Sequence, residues 1–156
     1  MPKLQIPLVF IDANVILAAL AVPLSPARVL ISLACLKQRP YQIVLADYVR
    51  REIEQNLKRQ SPELNRLFLQ FLQLIRPKTV RLPTPEEVIA VRGIIRHLHD
   101  EPVLASALIP PRPHVIVSDN KRDFNRRVAT RVGIPIMTTP AFLDRIVSLP
   151  FGGFVP

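Results

Sequence analysis

Short apolar runs of β-forming residues alternate with longer segments of helical periodicity along the whole sequence. Two of these runs, LVFI before Asp12 and VIV before Ser118, are continuously apolar. Continuously apolar strands are typical of sheets that carry helices on both faces, and such sheets are parallel. The alternation therefore predicts an α/β fold, a three-layer α/β/α sandwich around a central, mostly parallel five-stranded sheet.

The predicted elements fill almost all of the chain. Strands are predicted at residues 8–12, 42–46, 79–82, 114–118 and 134–138. Helices are predicted at residues 14–20, 25–38, 47–59, 61–76, 84–97, 100–108, 120–131 and 139–147. Four of these helices begin with Ser-Pro or Thr-Pro, a helix-start signature, and Thr84 with Glu87 forms a capping box. We expect one domain over residues 1–148 and a C-terminal tail over residues 149–156.

Charge and composition narrow the class of protein. The net charge of +9 and pI of about 10.8 favour a polyanionic partner. Cys35 is the single cysteine, which excludes an intramolecular disulfide framework and fits a reducing cytoplasm. The apolar stretch 6–24 is interrupted by Asp12 and Asn14 and closed by Pro23, so we expect neither a signal peptide nor a membrane span.

Acidic side chains follow two of the predicted strands. Asp12 ends the first strand, and Asp119 and Asp123 come directly after the fourth. In an open parallel sheet, functional sites lie beyond the carboxyl ends of the strands, near the point where the strand order reverses. These acids are therefore expected at one edge of the sheet.

Two predicted helices add further acids. Asp100 precedes an apolar stripe and lies at a helix N-terminus, where a plain capping role is the alternative. Glu52 and Glu54 flank the apolar stripe of another helix on opposite sides, and the helical period does not choose between them. The alternative for both is a solvated helical acid among Arg50, Arg51 and Lys58, which is the commoner fate of such residues.

A group of carboxylates without cysteine ligands favours a hard divalent cation, Mg²⁺ or Mn²⁺, over zinc. Such ions activate water and neutralise charge on phosphate esters. The pattern therefore predicts hydrolysis of phosphodiester bonds.

Four segments together resemble the PIN-domain family, which includes the VapC-type toxins: FIDANVILAAL, VLADYVRREIEQNL, HDEPVLASAL and VIVSDNKRDF. Their order and approximate spacing match the family over nearly the whole chain. The resemblance implies four catalytic and metal-binding acids, namely Asp12, Glu52, Asp100 and Asp123. It also implies supporting residues around them, namely Asn14, which would orient Asp12, with Ser118, Asp119 and Asn120.

The segment after the fourth strand departs from the family pattern. Many relatives carry an acid two residues after the Ser or Thr that ends this strand, and here that position is Asn120. If a helix begins near Asn120, then Phe124 faces inward and Asp119 faces away, so Asp123 is preferred over Asp119. For His97 and His99, which flank Asp100 in sequence, positions at a helix end and in a loop are favoured over a metal role.

Basic residues surround the acidic segments. The expected nucleic-acid contacts are Arg50, Lys121, Arg122, Arg126 and Arg127, with solvated helix faces as the alternative. Because the chain has only nine aromatic residues and no Trp, affinity is expected to come mainly from phosphate contacts and to fall with salt.

These inferences predict a metal-dependent endoribonuclease, the toxin of a type II toxin-antitoxin pair. The resemblance implies RNA and a cognate antitoxin as partners, and a homodimer formed through the helices of residues 25–76. One alternative is a catalytically weakened PIN-fold module that binds RNA or a partner. Another is an aspartyl-phosphate hydrolase or receiver domain, which is disfavoured because the hydrolase pattern requires a second Asp where Asn14 stands. Nucleotide-binding folds lack support, since the four glycines form no phosphate loop.

Overall fold

The computed structural model describes residues 6–148, in which five strands form a single parallel sheet. The strands are β1 (Leu8–Ile11), β2 (Gln42–Ala46), β3 (Lys78–Val80), β4 (Val115–Val117) and β5 (Ile136–Met137). Their order across the sheet is β3-β2-β1-β4-β5, and every neighbouring pair is parallel. All five predicted strands are present, with ends that differ by up to two residues.

Within the described part of the chain, eight α-helices connect and cover the strands. They are α1 (Ala13–Ala21), α2 (Pro26–Ala34), α3 (Asp47–Gln60), α4 (Pro62–Ile75), α5 (Pro85–Ala90), α6 (Glu101–Leu108), α7 (Arg126–Val132) and α8 (Thr139–Ser148). A 3₁₀ helix, Leu98–Asp100, leads directly into α6. The predicted three-layer α/β/α sandwich is confirmed.

The central strands form the core, since every residue of β4, and every residue of β1 and β2 after the first, is buried. Burial of successive residues requires cover on both faces of the sheet. Tyr41, just before β2, joins two of the covering helices to this core. Its hydroxyl donates a hydrogen bond of 2.6 Å to the carbonyl of Leu30 in α2, and its ring meets Phe142 of α8 edge-on at 5.0 Å between centroids.

The predicted helix 84–97 is shorter than expected. α5 ends at Ala90, and the following residues turn through Gly93, whose φ of +78° is readily adopted only by glycine. Val91 and Ile95 are buried, and they reach the core from this turn and not from a helix. The turn carries the chain to His97.

The predicted helix 120–131 begins only at Arg126. Residues 119–125 form turns in which Asn120 and Asn125 bond locally, and Asn125 caps α7 by accepting a hydrogen bond of 3.2 Å from the Val128 amide. Side chains of Asn and Asp compete in this way with helical backbone bonds. The predicted helix 25–38 likewise ends early, at Ala34.

The expected tail, residues 149–156, lies outside the described residues. Among residues 6–148 no single helix has the length and apolar character needed to cross a membrane. α1 and α2 satisfy that test only as a pair, and the chain bends by 101° between them.

Candidate metal centre

The strand order reverses between β1 and β4, which are neighbours in the sheet although residues 12–114 separate them in sequence. Asp12 directly follows β1 and Ser118 directly follows β4. The backbone amide of Asp12 donates to the carbonyl of Val117 at 3.1 Å, so the two strand ends are joined. A crevice at such a reversal is where open parallel sheets bind ligands.

Asp12 is buried, with 5% of its surface exposed. One carboxylate oxygen accepts a hydrogen bond from the Ala13 amide at 2.7 Å, and the other accepts from Ser118 Oγ at 2.7 Å and Asn14 Nδ2 at 3.2 Å. Burial raises the pKa of Asp12 above its usual value, with a smaller contribution from the charge of Asp119, and these hydrogen bonds only partly offset the rise.

The supporting residues form one hydrogen-bond network between the ends of β1 and β4. Ser118 Oγ accepts from the Asn120 amide at 3.2 Å and from Asn14 Nδ2 at 3.4 Å. Asn120 Nδ2 in turn donates to Asp123 Oδ2 at 3.0 Å. Asp12 and Asp123 are therefore connected through Ser118 and Asn120.

Asp123 meets His97 and Asp100 in a compact group. Each of the three offers one ligand atom, and these atoms lie within 4.8 Å of one another. Asp123 Oδ1 lies 2.7 Å from His97 Nδ1, yet this buried oxygen receives no hydrogen bond of acceptable geometry. Burial would raise the pKa of Asp123, but contacts from His97 and Asn120 and the positive charge of Arg122 outweigh it and hold the pKa below its usual value.

Asp100 experiences the strongest repulsion in the group. Burial, the nearby negative charges of Asp123 and Asp12, and contact with Asp123 raise its pKa to about 6. Two carboxylates this close are electrostatically unfavourable when both are ionised, and a divalent cation between them would remove that cost. The donor set, with a buried and unsatisfied carboxylate oxygen in it, therefore fits a metal ion.

Glu52 lies next to this group, whereas Glu54 does not take part in it. Partial burial of the Glu52 carboxyl group and the charges of Asp12 and Asp100 raise its pKa, although the residue as a whole is exposed. Glu54 accepts a hydrogen bond from Arg50 at 2.9 Å within one turn of α3. Of the two acids that the helical period left open, Glu52 is the one beside the acidic group.

All four candidate acids lie at the same edge of the sheet, but only Asp100 and Asp123 lie within one compact group. Within residues 6–148, His97, Asp100 and Asp123 are the only such trio, and Asp12 and Glu52 interact with Asp100 at longer range. His97 is thus a candidate ligand that the sequence argument had ranked as a helix end. The only sequence feature that pointed to His97 as a ligand was its closeness to Asp100 along the chain. Its contact with Asp123 depends on the turn after α5.

Asp119 lies outside this group and forms hydrogen bonds with the first residue of a neighbouring helix. Its two carboxylate oxygens accept hydrogen bonds from the amide of Thr139 at 2.7 Å and from the Thr139 hydroxyl at 2.9 Å. Thr139 is the first residue of α8. Asp119 therefore stabilises the start of α8, consistent with the expectation that it faces away from the acids.

Replacing Asp119 by Ala should lower the free energy of unfolding by about 1 kcal/mol, because the start of α8 loses two hydrogen-bond acceptors. Urea denaturation followed by circular dichroism measures this loss. Asp119→Asn keeps one acceptor oxygen and should cost less. Calorimetric Mn²⁺ binding by both variants should match that of the unsubstituted protein, and a large loss of affinity would instead give Asp119 a direct role in the metal centre.

The basic residues expected to contact nucleic acid lie at the surface of the described chain, and one of them is close to the acidic group. Lys121, Arg122, Arg126 and Arg127 are all exposed, and Arg122 lies close enough to Asp123 to lower its pKa. Arg50 is half-exposed and is paired with Glu54. Their role in nucleic-acid binding stays a prediction.

Comparison with solved structures identifies the fold. VapBC2 from Rickettsia felis, in a crystal structure bound to a DNA fragment from its promoter, superposes with a TM-score of 0.61 and 12% identity over 84% of this chain and 98% of that chain. PAE2754 from Pyrobaculum aerophilum gives a TM-score of 0.57 and 13% identity over 96% and 95% of the two chains. No protein-family model and no curated protein matches the sequence. The chain has a PIN-like fold of the VapC kind, as the sequence resemblance implied.

Proposed function

We propose that this protein is a metal-dependent endoribonuclease that hydrolyses phosphodiester bonds. The observation that carries the proposal is the trio of ligand atoms from His97, Asp100 and Asp123, which lie within 4.8 Å of one another at the strand-order reversal of a PIN-like fold. Neighbouring carboxylates from Asp12 and Glu52 add negative charge to the same crevice.

The proposed cofactor is Mg²⁺ or Mn²⁺, held by Asp100 and Asp123, with His97, Asp12 and Glu52 as the further candidates. The imidazole of His97 favours Mn²⁺ over Mg²⁺, since nitrogen ligands suit the transition metal better. When bound, such an ion activates water for attack and neutralises charge on the phosphate and the leaving oxygen.

The remaining residues position groups and move protons. Ser118 and Asn14 hold the Asp12 carboxylate in one orientation through the hydrogen bonds described above. Glu52 is the acid best suited to accept a proton from attacking water, because it is accessible to solvent and because partial burial and the charges of Asp12 and Asp100 raise its pKa. Asn120 orients Asp123 through its amide.

The RNA backbone would be bound by the exposed basic residues that follow β4, namely Lys121, Arg122, Arg126 and Arg127, together with Arg50 on α3. The net charge of +9 supports a polyanionic substrate. Binding through phosphates implies that affinity falls steeply as salt concentration rises.

We further propose that the protein acts in the cytoplasm as the toxin of a type II toxin-antitoxin pair, with a cognate antitoxin and as a homodimer. The structural similarity to a chain of VapBC2 supports this role. The dimer proposal draws on the family resemblance of the segment over residues 25–76.

A second function, a PIN-fold module that binds RNA or a partner without cutting, is favoured by one observation. Asn120 stands where many relatives carry an acid, and it uses its amide to donate a hydrogen bond to Asp123. Both oxygens of Asp12 are also hydrogen-bonded to protein groups. A site built this way has fewer free carboxylate oxygens for a cation.

The deciding experiment incubates the purified protein with a panel of labelled RNAs in Mn²⁺, in Mg²⁺ and in chelator. We expect cleavage with either ion, none with chelator, and loss of activity in Asp12→Asn, which keeps the shape of the side chain but removes its charge. Cleavage that survives both chelator and Asp12→Asn would contradict the proposal.

The same samples separate the two functions. If calorimetry detects no binding of Mn²⁺, and Asp12→Asn leaves RNA affinity unchanged, the protein is a binding module. If Mn²⁺ binds and cleavage depends on it, the enzyme is established.

A further inference from the structure

A second buried acid, Glu101, directly follows Asp100 and has no part in the proposed mechanism. It is the first residue of α6, and its side chain is only 5% exposed. A carboxylate that is removed from water is unfavourable unless a positive charge or hydrogen-bond donors compensate it. The reason for an acid at this position therefore lies in the group that it contacts.

That group is the guanidinium of Arg92. Within residues 6–148 the one ion pair of Glu101 is with Arg92, whose Nε lies 3.9 Å from a carboxylate oxygen of Glu101. The Arg92 side chain is 62% exposed, so the pair joins a surface guanidinium to a buried carboxylate. Because one partner is buried, solvent and salt screen this attraction less than they screen a fully exposed pair.

The ion pair closes a short segment, residues 92–101, that carries two of the three ligands of the trio. Arg92 lies at the beginning of the turn after α5 and forms a backbone bridge with Ile95. His97 and Asp100 lie between the two paired residues along the chain. Both ends of the segment that carries these ligands are therefore fixed by one contact.

The middle of this segment is weakly attached to the rest of the fold. Ile95 is buried, whereas Leu98 is 68% exposed. The carbonyl of His97 accepts a hydrogen bond of 3.0 Å from the Asp100 amide, and its imidazole reaches Asp123. Because closure of the ends reduces the conformations open to a loop, it lowers the entropy that is lost when the ligands are ordered around an ion.

We propose that Glu101 is a positioning residue of the metal centre, which holds His97 in the trio through its ion pair with Arg92. The inference rests on the proposed metal-dependent function and adds to it a residue that contacts neither metal nor substrate. Residues that orient metal ligands from outside the coordination sphere typically contribute roughly 10- to 100-fold to metal affinity.

Two other roles for Glu101 would not involve Arg92. The carboxylate could be a metal ligand itself, or it could favour the start of α6 through its charge at the helix N-terminus. Within the described residues, the compact group of ligand atoms consists of His97, Asp100 and Asp123 and does not include Glu101. The contact with Arg92 therefore favours the positioning role.

The first measurement needs neither metal nor substrate. Long-range proton–nitrogen NMR spectra of the imidazoles, recorded on the full chain in chelator, follow the contact of His97 with Asp123. The chain has three histidines, so His97→Gln assigns the His97 signals. Glu101→Gln and Arg92→Gln should each displace these signals, whereas Arg92→Lys keeps the positive charge and should displace them less.

Calorimetry with Mn²⁺ measures the consequence for the site. Glu101→Gln and Arg92→Gln should each weaken Mn²⁺ binding by roughly 10- to 100-fold. The double variant should bind no more weakly than the weaker single variant, because both substitutions remove the same contact. Arg92→Lys should bind Mn²⁺ almost as tightly as the unsubstituted protein.

The matched controls are Arg96→Gln in the same segment and Glu86→Gln on α5. Both residues are exposed and form no ion pair among the described residues, so their substitution should leave the His97 signals and Mn²⁺ affinity nearly unchanged. Thermal unfolding in chelator checks that each variant is folded. If Arg92→Gln is not, the metal-free spectrum of Glu101→Gln decides, because loss of a ligand would not disturb His97 without metal.

The outcomes distinguish this inference from the proposed function. Weak Mn²⁺ binding by Glu101→Gln with tight binding by Arg92→Gln would make Glu101 a ligand and overturn the positioning role. Unchanged His97 signals in both variants would also overturn it, even if the protein cleaves RNA. Displaced His97 signals in a protein that binds no Mn²⁺ would support the link between Glu101 and His97 and overturn the metal-dependent function.

Discussion

Replacing Asp100 by Asn should abolish Mn²⁺ binding and RNA cleavage, and should at the same time make the metal-free protein more stable. We expect Mn²⁺ affinity to fall at least roughly 100-fold, because an anionic ligand is lost from the trio. Cleavage should fall roughly a thousandfold or more, since a bound ion contributes several kcal/mol to the transition state.

The stabilisation follows from the pKa of Asp100. Its value rises from 3.8 to about 6 in the fold, so between those values the folded protein binds more protons than the unfolded chain. The stability that Asp100 contributes through this difference in proton binding is complete at low pH. It is lost as the pH rises through the folded-state pKa of about 6. Asn stays neutral, so at pH 7.5 we expect it to stabilise the metal-free protein by about 1 kcal/mol, a figure reduced for solvent screening.

Two measurements test these expectations. Thermal unfolding in chelator at pH 5 and pH 7.5 follows the stability of the metal-free protein, and calorimetry at both pH values follows Mn²⁺ binding. The unsubstituted protein should bind Mn²⁺ more weakly at pH 5, because Asp100 must lose its proton to bind. A variant that loses stability in chelator at pH 7.5 would mean that Asp100 is a structural cap and not a repelled ligand.

Replacing Phe142 by Ala should lower the free energy of unfolding by about 3–5 kcal/mol, a large part of the total for a domain of this size. Phe142 is fully buried, and its edge-on contact with Tyr41 connects α8 to the segment that leads into β2. The close-packed side chains around the ring would fill the resulting cavity only in part, so the cost of the cavity adds to the lost burial.

Urea denaturation measures this effect, with Val147→Ala as the matched control. Val147 lies on the same helix but is 81% exposed, so the control should change stability by less than about 0.5 kcal/mol. Phe142→Leu, which keeps most of the buried volume, should lie between the two. Equal stability of Phe142→Ala and the control would mean that α8 does not form part of the cooperative core.

Much of the fold was accessible from sequence because its signals are local. Continuous apolar runs predicted β1 and β4, and helix-start signatures predicted the beginnings of α2, α4, α5 and α8. The acids at the strand ends followed from topology, since parallel strands place their carboxyl ends on one edge. The topology alone therefore predicts that Asp12 and Asp123 lie in one region of the fold, without any information about side-chain contacts.

The parts that sequence could not predict depend on long-range contacts. A helix was predicted from residue 120, with Phe124 and Val128 on its inward face. In the structure, the side-chain amide of Asn120 donates a hydrogen bond to Asp123, and Asn125 caps α7. These polar bonds delay the helix by several residues. Apolar periodicity carries no information about such bonds.

His97 and Glu101 show the same limit at the site itself. The turn at Gly93 directs His97 towards Asp123, an acid 26 positions later, and no local pattern encodes that meeting. Glu101 is more deeply buried than Asp100, although the apolar stripe of α6 singled out Asp100. Glu101 faces Arg92 across a turn that the periodicity had predicted as helix.

The wide separation of the acids in sequence has a consequence during synthesis. Asp12 is synthesised 106 residues before the Ser118 hydroxyl that orients it, and the Asp123 carboxylate of the trio follows Ser118. A nascent chain that ends before Ser118 therefore lacks both the hydroxyl that orients Asp12 and one member of the trio. The proposed metal centre is therefore complete only after the segment that carries Ser118 and Asp123 has been synthesised and has folded.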